Sequence, residues 1–166
     1  MNPPLDGLQR ALTAIRRGAA VVAGLGVVAI TALGVVDVAG RVLFNSPLLG
    51  QVEITRILLV YVAFLGLAEA ERAKGHVRLG VLDTVLSPRA RAVRECAITA
   101  LAMIVAGVLT IAAAVFFWDS WSAAETMIAP IALPAWLGKL GVVVGFFLLT
   151  AQLALDLVRQ LGTWTR

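Results

Sequence analysis

Residues 37–56 read DVAGRVLFNSPLLGQVEITR, and the fold turns on how this stretch is understood. Its two ends are charged. Asp37 and Arg41 stand at i,i+4 and Glu53 and Arg56 at i,i+3, spacings that put each pair on one helical face where opposite charges can meet. Between them, Asn45-Ser46-Pro47 is turn chemistry, because Asn tolerates left-handed backbone and Pro pre-sets φ. One apolar run precedes the stretch over 18–36 and another follows it over 54–70. Each is close to the ~20 residues that cross a ~30 Å hydrocarbon layer. The stretch is therefore a densely charged hairpin between two lipid-length helices, suited to docking onto something.

Composition agrees with a membrane setting. Of 166 residues, 60% are hydrophobic and 14% charged, with a mean hydropathy of +0.94, whereas soluble domains carry about 25% charged residues. The single Cys96 excludes an internal disulfide and paired-thiol redox chemistry. The single His76 excludes a bis-histidine haem within one chain. A net charge of +4 does not point to nucleic acid here, because in a membrane protein the placement of basic residues carries more meaning than their sum.

Outward from the hairpin, residues 1–17 place Leu5, Leu8, Leu12 and Ile15 on one helical face, which predicts a short amphipathic helix lying at the interface before the first span. A secretory signal peptide fits less well, since the apolar run that follows exceeds the 7–15 residues of a signal core. Beyond the second span, KGHVRLGVLDTVL reads as an interfacial loop, and Ser87-Pro88 as a helix start with a capping hydroxyl and a proline where no amide is needed. The third span is expected over 97–117. Trp118, Trp121 and Trp136 then bracket a loop containing Asp119, Glu125, Pro130 and Pro134, with one or two helical turns expected over 119–127. Tryptophans at span ends mark the membrane boundary. The fourth span is expected over 137–155, with Gly138, Gly141 and Gly145 forming a small-residue strip. The expectation is one all-α integral membrane domain over 1–166, with four transmembrane helices.

Orientation follows from the 14 basic residues. Only Arg41, Arg56 and Lys139 fall on the side of the hairpin and the tryptophan loop, and the other eleven fall on the opposite side. Both termini are thus expected in the cytoplasm, with the hairpin and the tryptophan loop facing outward. Ionisable residues (Asp37, Glu53, Arg56, Glu69, Glu95, Lys139, Asp156) gather at span ends, and all six prolines lie outside the spans. Carriers of charged solutes usually place ionisable groups or broken helices at mid-depth. Thr31, Tyr61 and Thr110 are the conspicuous polar groups deeper in, and such hydroxyls are usually satisfied by backbone carbonyls. No residue set suits a membrane enzyme, so neither a catalytic residue nor a metal or cofactor site is expected.

The pattern D-V-x-x-R-x-x-F-N-x-P-L-x-G-x-x-E, formed by Asp37-Val38, Arg41, Phe44-Asn45, Pro47-Leu48, Gly50 and Glu53, resembles the small membrane subunit (Q subunit) of TRAP transporters, the tripartite ATP-independent periplasmic transporters. Phe64-Leu65-Gly66 followed by Arg72, Gly75-His76-Val77 and Leu82 is similar to the same family, as are Glu125-Thr126, Pro134-Ala135-Trp136 and Gly141. The resemblance spans nearly the whole chain. It implies a non-catalytic subunit of the bacterial inner membrane, paired about 1:1 with a large membrane subunit that binds sodium and substrate. A periplasmic binding protein would deliver the solute, an organic acid bearing a carboxylate or sulfonate, and the small subunit would brace the moving part.

Several residues carry two readings each. Asp37, Arg41, Asn45, Pro47, Glu53 and Arg56 either fix the hairpin or meet the partner subunit, with interfacial snorkelling as the plain account of the long charged side chains. Arg72, His76 and Arg78 either hold a phospholipid phosphate on the cytoplasmic face or are ordinary positive-inside residues. Asp119 and Glu125 either meet basic residues of the binding protein or form a solvated acidic loop. A tricarboxylate-type tripartite system, a small multidrug exporter, and a small membrane enzyme or assembly factor are the competing readings; the exporter lacks a membrane-embedded carboxylate.

Overall fold

A computed structural model of the chain describes residues 3–72, 87–127 and 131–164. Four helices make up the fold: α1 (Pro3–Phe44), α2 (Gln51–Arg72), α3 (Pro88–Ser122) and α4 (Trp136–Trp164). Three of them, over Leu12–Phe44, Arg89–Ser122 and Trp136–Gly162, are long and apolar enough to cross a membrane. Among the described residues the β-pairing is one isolated antiparallel bridge between Thr126 and Pro134.

α1 corrects the sequence expectation of a separate interfacial helix over 1–17. It runs unbroken for 42 residues, about 63 Å at 1.5 Å per residue. Pro3 and Pro4 sit in its first turn, where proline is tolerated, and the next proline is Pro47, beyond its end. Nothing between them breaks the backbone ladder, and a lone Gly18 costs too little to do so. α3 begins as its sequence signals: the Ser87 hydroxyl accepts from Ala90 N at 3.3 Å, with Pro88 at the first helical position. It then runs further than expected, through Trp118 and Trp121 to Ser122. The helical turns expected over 119–127 are therefore its own last turn, and the chain leaves the helix through Ala124, at φ +47°. The interfacial loop expected around KGHVRLGVLDTVL lies outside the described residues.

The helices do not close into a four-membered ring. α1 packs on α2, α2 on α4 and α4 on α3, while α1 meets α4 only lightly and α3 has no comparable seam with α1 or α2. The result is an open row in the order α1–α2–α4–α3. Its core is small, with Ala23, Leu65 and Leu148 packed together beside Ala19 and Tyr61. Only 11% of the most apolar window of α1 and of α3 is buried, against 28% for α4, so the two outer helices present most of their surface outward.

Glycines set how close the inner helices come. A Cβ on Gly141 would lie 3.3 Å from the Tyr61 ring, and one on Gly145 would lie 2.5 Å from the Phe64 carbonyl oxygen and 2.6 Å from its Cβ. Gly26 takes Val62 in the same way, at 2.8 Å. The contacts Tyr61–Gly141 and Phe64–Gly145 advance together along both chains, so α2 and α4 are parallel neighbours. Phe64 and Phe146 meet edge-on at 5.2 Å between ring centroids, a geometry that brings a positive ring edge onto a negative face. Gly24, Gly34 and Gly138 face open space instead.

The hydroxyls along the apolar runs find partners within the helices. Thr31 Oγ1 donates to the Val27 carbonyl at 2.9 Å, Thr110 Oγ1 to Ala106 at 2.7 Å, and Tyr61 Oη to Leu137 at 2.9 Å. The first two bond the preceding turn of their own helix. Tyr61 bonds across the α2–α4 seam, and Thr110 also meets Thr150 Oγ1 at 3.0 Å across the α3–α4 seam.

Candidate functional site

The α1–α2 hairpin is built around one carboxylate. Asp37, on the last turns of α1, is 4% exposed. One of its oxygens pairs with the Arg41 guanidinium a turn further on. The other accepts the backbone N–H of Leu48 at 2.9 Å, eleven residues away, and so draws the returning chain down against the helix. Ser46 N donates to the Gly40 carbonyl at 3.1 Å beside this bond. Gly40 has no room for a side chain, since a Cβ there would stand 2.7 Å from the Ser46 oxygen.

The turn itself uses two left-handed residues, Asn45 at φ +49° and Gly50 at φ +79°, with Pro47 between them. Ile131 packs directly over Gly50 and ties this hairpin to the α3–α4 loop. Glu53 lies in the first turn of α2, where the helix dipole favours a negative charge. Neither its carboxylate nor the exposed Arg56 has an ion-pair or hydrogen-bond partner among the described residues. The structure thus brings Asp37 and Arg41 together and leaves Glu53 and Arg56 apart.

The second feature at this end of the helices is the tryptophan loop. Glu125 Oε2 accepts from the hydroxyl of Ser120, a residue 1% exposed, at 2.6 Å, and from Lys139 Nζ at 2.7 Å. Its own backbone bonds Ser120 and Ala135, and Met127 N bonds Leu133. Trp121 and Trp136 stack edge-on at 4.6 Å, with Phe117 against both. Lys139 also stands 5.9 Å over the Phe116 ring. Asp119 is exposed and directs no side-chain bond to the described residues, whereas its carbonyl accepts from Ser122 and Ala123. The two acids that looked alike in the sequence therefore differ: Glu125 is the keystone of the loop and Asp119 is open.

The Lys139 ammonium, followed by the Ser120 hydroxyl, holds the Glu125 carboxyl below its ordinary value of 4.5. A carboxylate whose pKa is lowered by folding stabilises the fold above its unfolded pKa and loses that contribution as pH falls through the folded value. The loop is thus expected to hold at neutral pH and to loosen only below about pH 4.5, by progressive protonation of Glu125. Fluorescence of Trp121 and Trp136 followed from pH 6 to pH 3 checks this. A Glu125→Gln variant should have lost the dependence, and a transition that survives in it would assign the titration elsewhere.

At the opposite end of the helices a polar cluster appears that the sequence reading missed. Arg16, 5% exposed, reaches across from α1 to the Gln152 carboxamide on α4, and also bonds Thr13 Oγ1 at 3.2 Å and the Leu12 carbonyl at 3.3 Å. Gln152 in turn donates to Asp156 at 2.8 Å. Arg16 looked like one of several basic residues flanking a span. Gln152, four residues before Asp156 on the last turns of the fourth apolar run, was the available signal. Arg72 closes α2, and the phospholipid site expected from it together with His76 and Arg78 lies outside the described residues. No group of His, Cys, Asp and Glu able to hold a metal ion occurs among the described residues.

The arrangement is two locally tied loop features on an open row of apolar helices. A family model for the DctQ component of tripartite ATP-independent periplasmic transporters matches residues 30–163. The chain belongs to the DctQ family. Among curated proteins, no relative matches it. As a DctQ component it is a small membrane subunit of a tripartite transporter, a transport component and not a member of an enzyme family. The match takes in the hairpin, the tryptophan loop and nearly all of α4, and it begins beyond Arg16.

Proposed function

We propose that this DctQ subunit is a non-catalytic brace for the large membrane subunit of a sodium-coupled, binding-protein-dependent symporter for organic acids bearing a carboxylate or sulfonate. In this reading the chain crosses the bacterial inner membrane four times with both termini in the cytoplasm. It pairs about 1:1 with the large subunit, which binds sodium and solute. The periplasmic binding protein approaches from the side of the hairpin and the tryptophan loop.

The observation that carries the reading is the open row of helices. A carrier that works alone surrounds its path with protein, whereas this chain spreads its helices and turns most of α1 and α3 outward. The helices within the row are fixed by close glycine contacts, and Asp37, Glu125 and Arg16 are engaged in local ties at the two ends. Such a plate widens a fixed scaffold against which another subunit moves. The positive-inside distribution of Lys and Arg supports the orientation.

Co-expression with the large membrane protein encoded beside it tests the pairing. A stable complex of about 1:1 is expected after solubilisation. In proteoliposomes, uptake driven by a sodium gradient should require the chain, its large partner and the binding protein together. Accumulation of solute by this chain alone would refute the bracing role.

A further inference from the structure

We propose that the outer edge of α1 seats one transmembrane helix of the large membrane subunit; the assignment rests on the pairing proposed above and names the face that makes it. The row has two free edges, α1 and α3. On α3 the residues Leu101, Ile104, Val108, Ile111 and Val115 are all more than half exposed and lie along the candidate span, where lipid tails cover them. On α1 an apolar groove of about 580 Å³ is lined by Thr31, Gly34, Val35, Val38, Ala39 and Val42. A Cβ built on Gly34 would meet nothing within 4 Å. A neighbouring backbone can therefore approach closely there.

Depth distinguishes a protein occupant from a lipid tail. Gly26 meets Val62 across the antiparallel α1–α2 pair, so Asp37, eleven residues outward, stands level with Gln51. Tyr61 meets Gly141 across the parallel α2–α4 pair. Gln51 lies ten residues before Tyr61, whereas Trp136 lies only five before Gly141. At 1.5 Å per residue, Asp37 is about 7 Å outward of Trp136. Trp136 and Trp121, stacked at 4.6 Å, mark the aromatic boundary of the bilayer.

Val42, Leu43 and Phe44 stand up to two turns further out than Asp37, yet they are 76%, 71% and 77% exposed, the highest values for large hydrophobics among the described residues. Lipid tails end below them. A protein helix that continues through the boundary covers both the groove and this tip.

Charge argues against a second copy of the same chain. The Arg41 side chain is 58% exposed at the outer end of the groove. Two copies related by a two-fold axis through this edge would bring guanidinium against guanidinium. A partner helix ending in a carboxylate or in free carbonyls at that level would instead use the donors that Arg41 does not give to Asp37.

The test uses the complex in its native membrane. A benzophenone photo-crosslinker at Val38 should capture the large subunit, and the same probe at Ile111 on α3 should not. Capture of lipid only, or of a second copy of this chain, from Val38 would overturn the assignment, and so would capture of the large subunit from Ile111. Gly34→Leu fills the groove without touching the rest of the row, and should lower the large subunit co-purified by roughly tenfold while the thermal midpoint of the chain holds. Full recovery of the complex with this variant would also overturn it. A wild-type complex with a silent Val38 removes the face alone. Absence of any wild-type complex removes the pairing, and the face with it.

Discussion

Gly145→Ala is expected to lower the thermal midpoint of the detergent-solubilised chain by roughly 10 °C, from an overpacking cost of about 3 kcal/mol. The added methyl would stand 2.5 Å from the Phe64 carbonyl oxygen, 2.6 Å from its Cβ and 2.7 Å from its carbonyl carbon. Two of those atoms are backbone, so relief requires moving α2 and α4 apart. That movement loosens the Tyr61–Leu137 hydrogen bond and the Phe64–Phe146 ring contact together. Gly26→Ala is the informative comparison, because its methyl meets only the end of the Val62 side chain, which can turn aside. Gly34→Ala meets nothing and should be neutral or slightly stabilising. Circular dichroism melts of the three variants rank them. Equal melting of Gly145→Ala and Gly34→Ala would mean that α2 and α4 do not cross at Gly145.

Asp37→Ala should produce the second largest loss, a fall of roughly 5 °C in the same melt together with faster proteolysis within residues 44–50. The substitution removes the acceptor for Leu48 N and the partner of Arg41 at once. Loss of the Leu48 bond frees the returning chain from α1, while the half-exposed Arg41 guanidinium keeps solvent as a partner and adds little to the cost. Asp37→Asn retains an acceptor for Leu48 but not the charge, and should fall between the two. Glu53→Gln serves as the control. Glu53 shares the hairpin but has no side-chain partner among the described residues, so its melt should stay within about 1 °C of wild type. If Glu53→Gln and Asp37→Ala behave alike, the hairpin is held by total charge and not by the Asp37 bonds.

Much of this was legible before any coordinates. Ser87-Pro88 announced the start of α3, because capping depends on two adjacent residues and little else. Asn45-Ser46-Pro47 announced the turn, since Asn tolerates the positive φ that it adopts there; Gly50, the second left-handed residue, was not singled out for it. The Asp37–Arg41 pair followed from helical spacing. The identical argument failed for Glu53 and Arg56. Spacing places two side chains on a face but leaves their rotamers to their surroundings, and here no buried backbone donor recruits Glu53 as Leu48 recruits Asp37. The break expected near residue 17 failed for a related reason. An amphipathic segment and an apolar span differ in surroundings, not in backbone conformation, so a helix passes from one to the other without a seam.

Sequence by itself determined where the four apolar runs lie, their helical character and the turn chemistry between the first two. These depend on residues near one another in the chain and on the fixed thickness of a lipid layer. Tertiary structure alone decided which helices are neighbours, and therefore what each small or charged residue meets. Gly24, Gly26, Gly34, Gly138 and Gly145 are alike in the sequence, yet only Gly26 and Gly145 are closed against a neighbour. Arg16 is one arginine among many until α4 arrives beside it with Gln152. Helix order and rotation are set by contacts between residues far apart in the chain, and hydropathy along the sequence does not encode them.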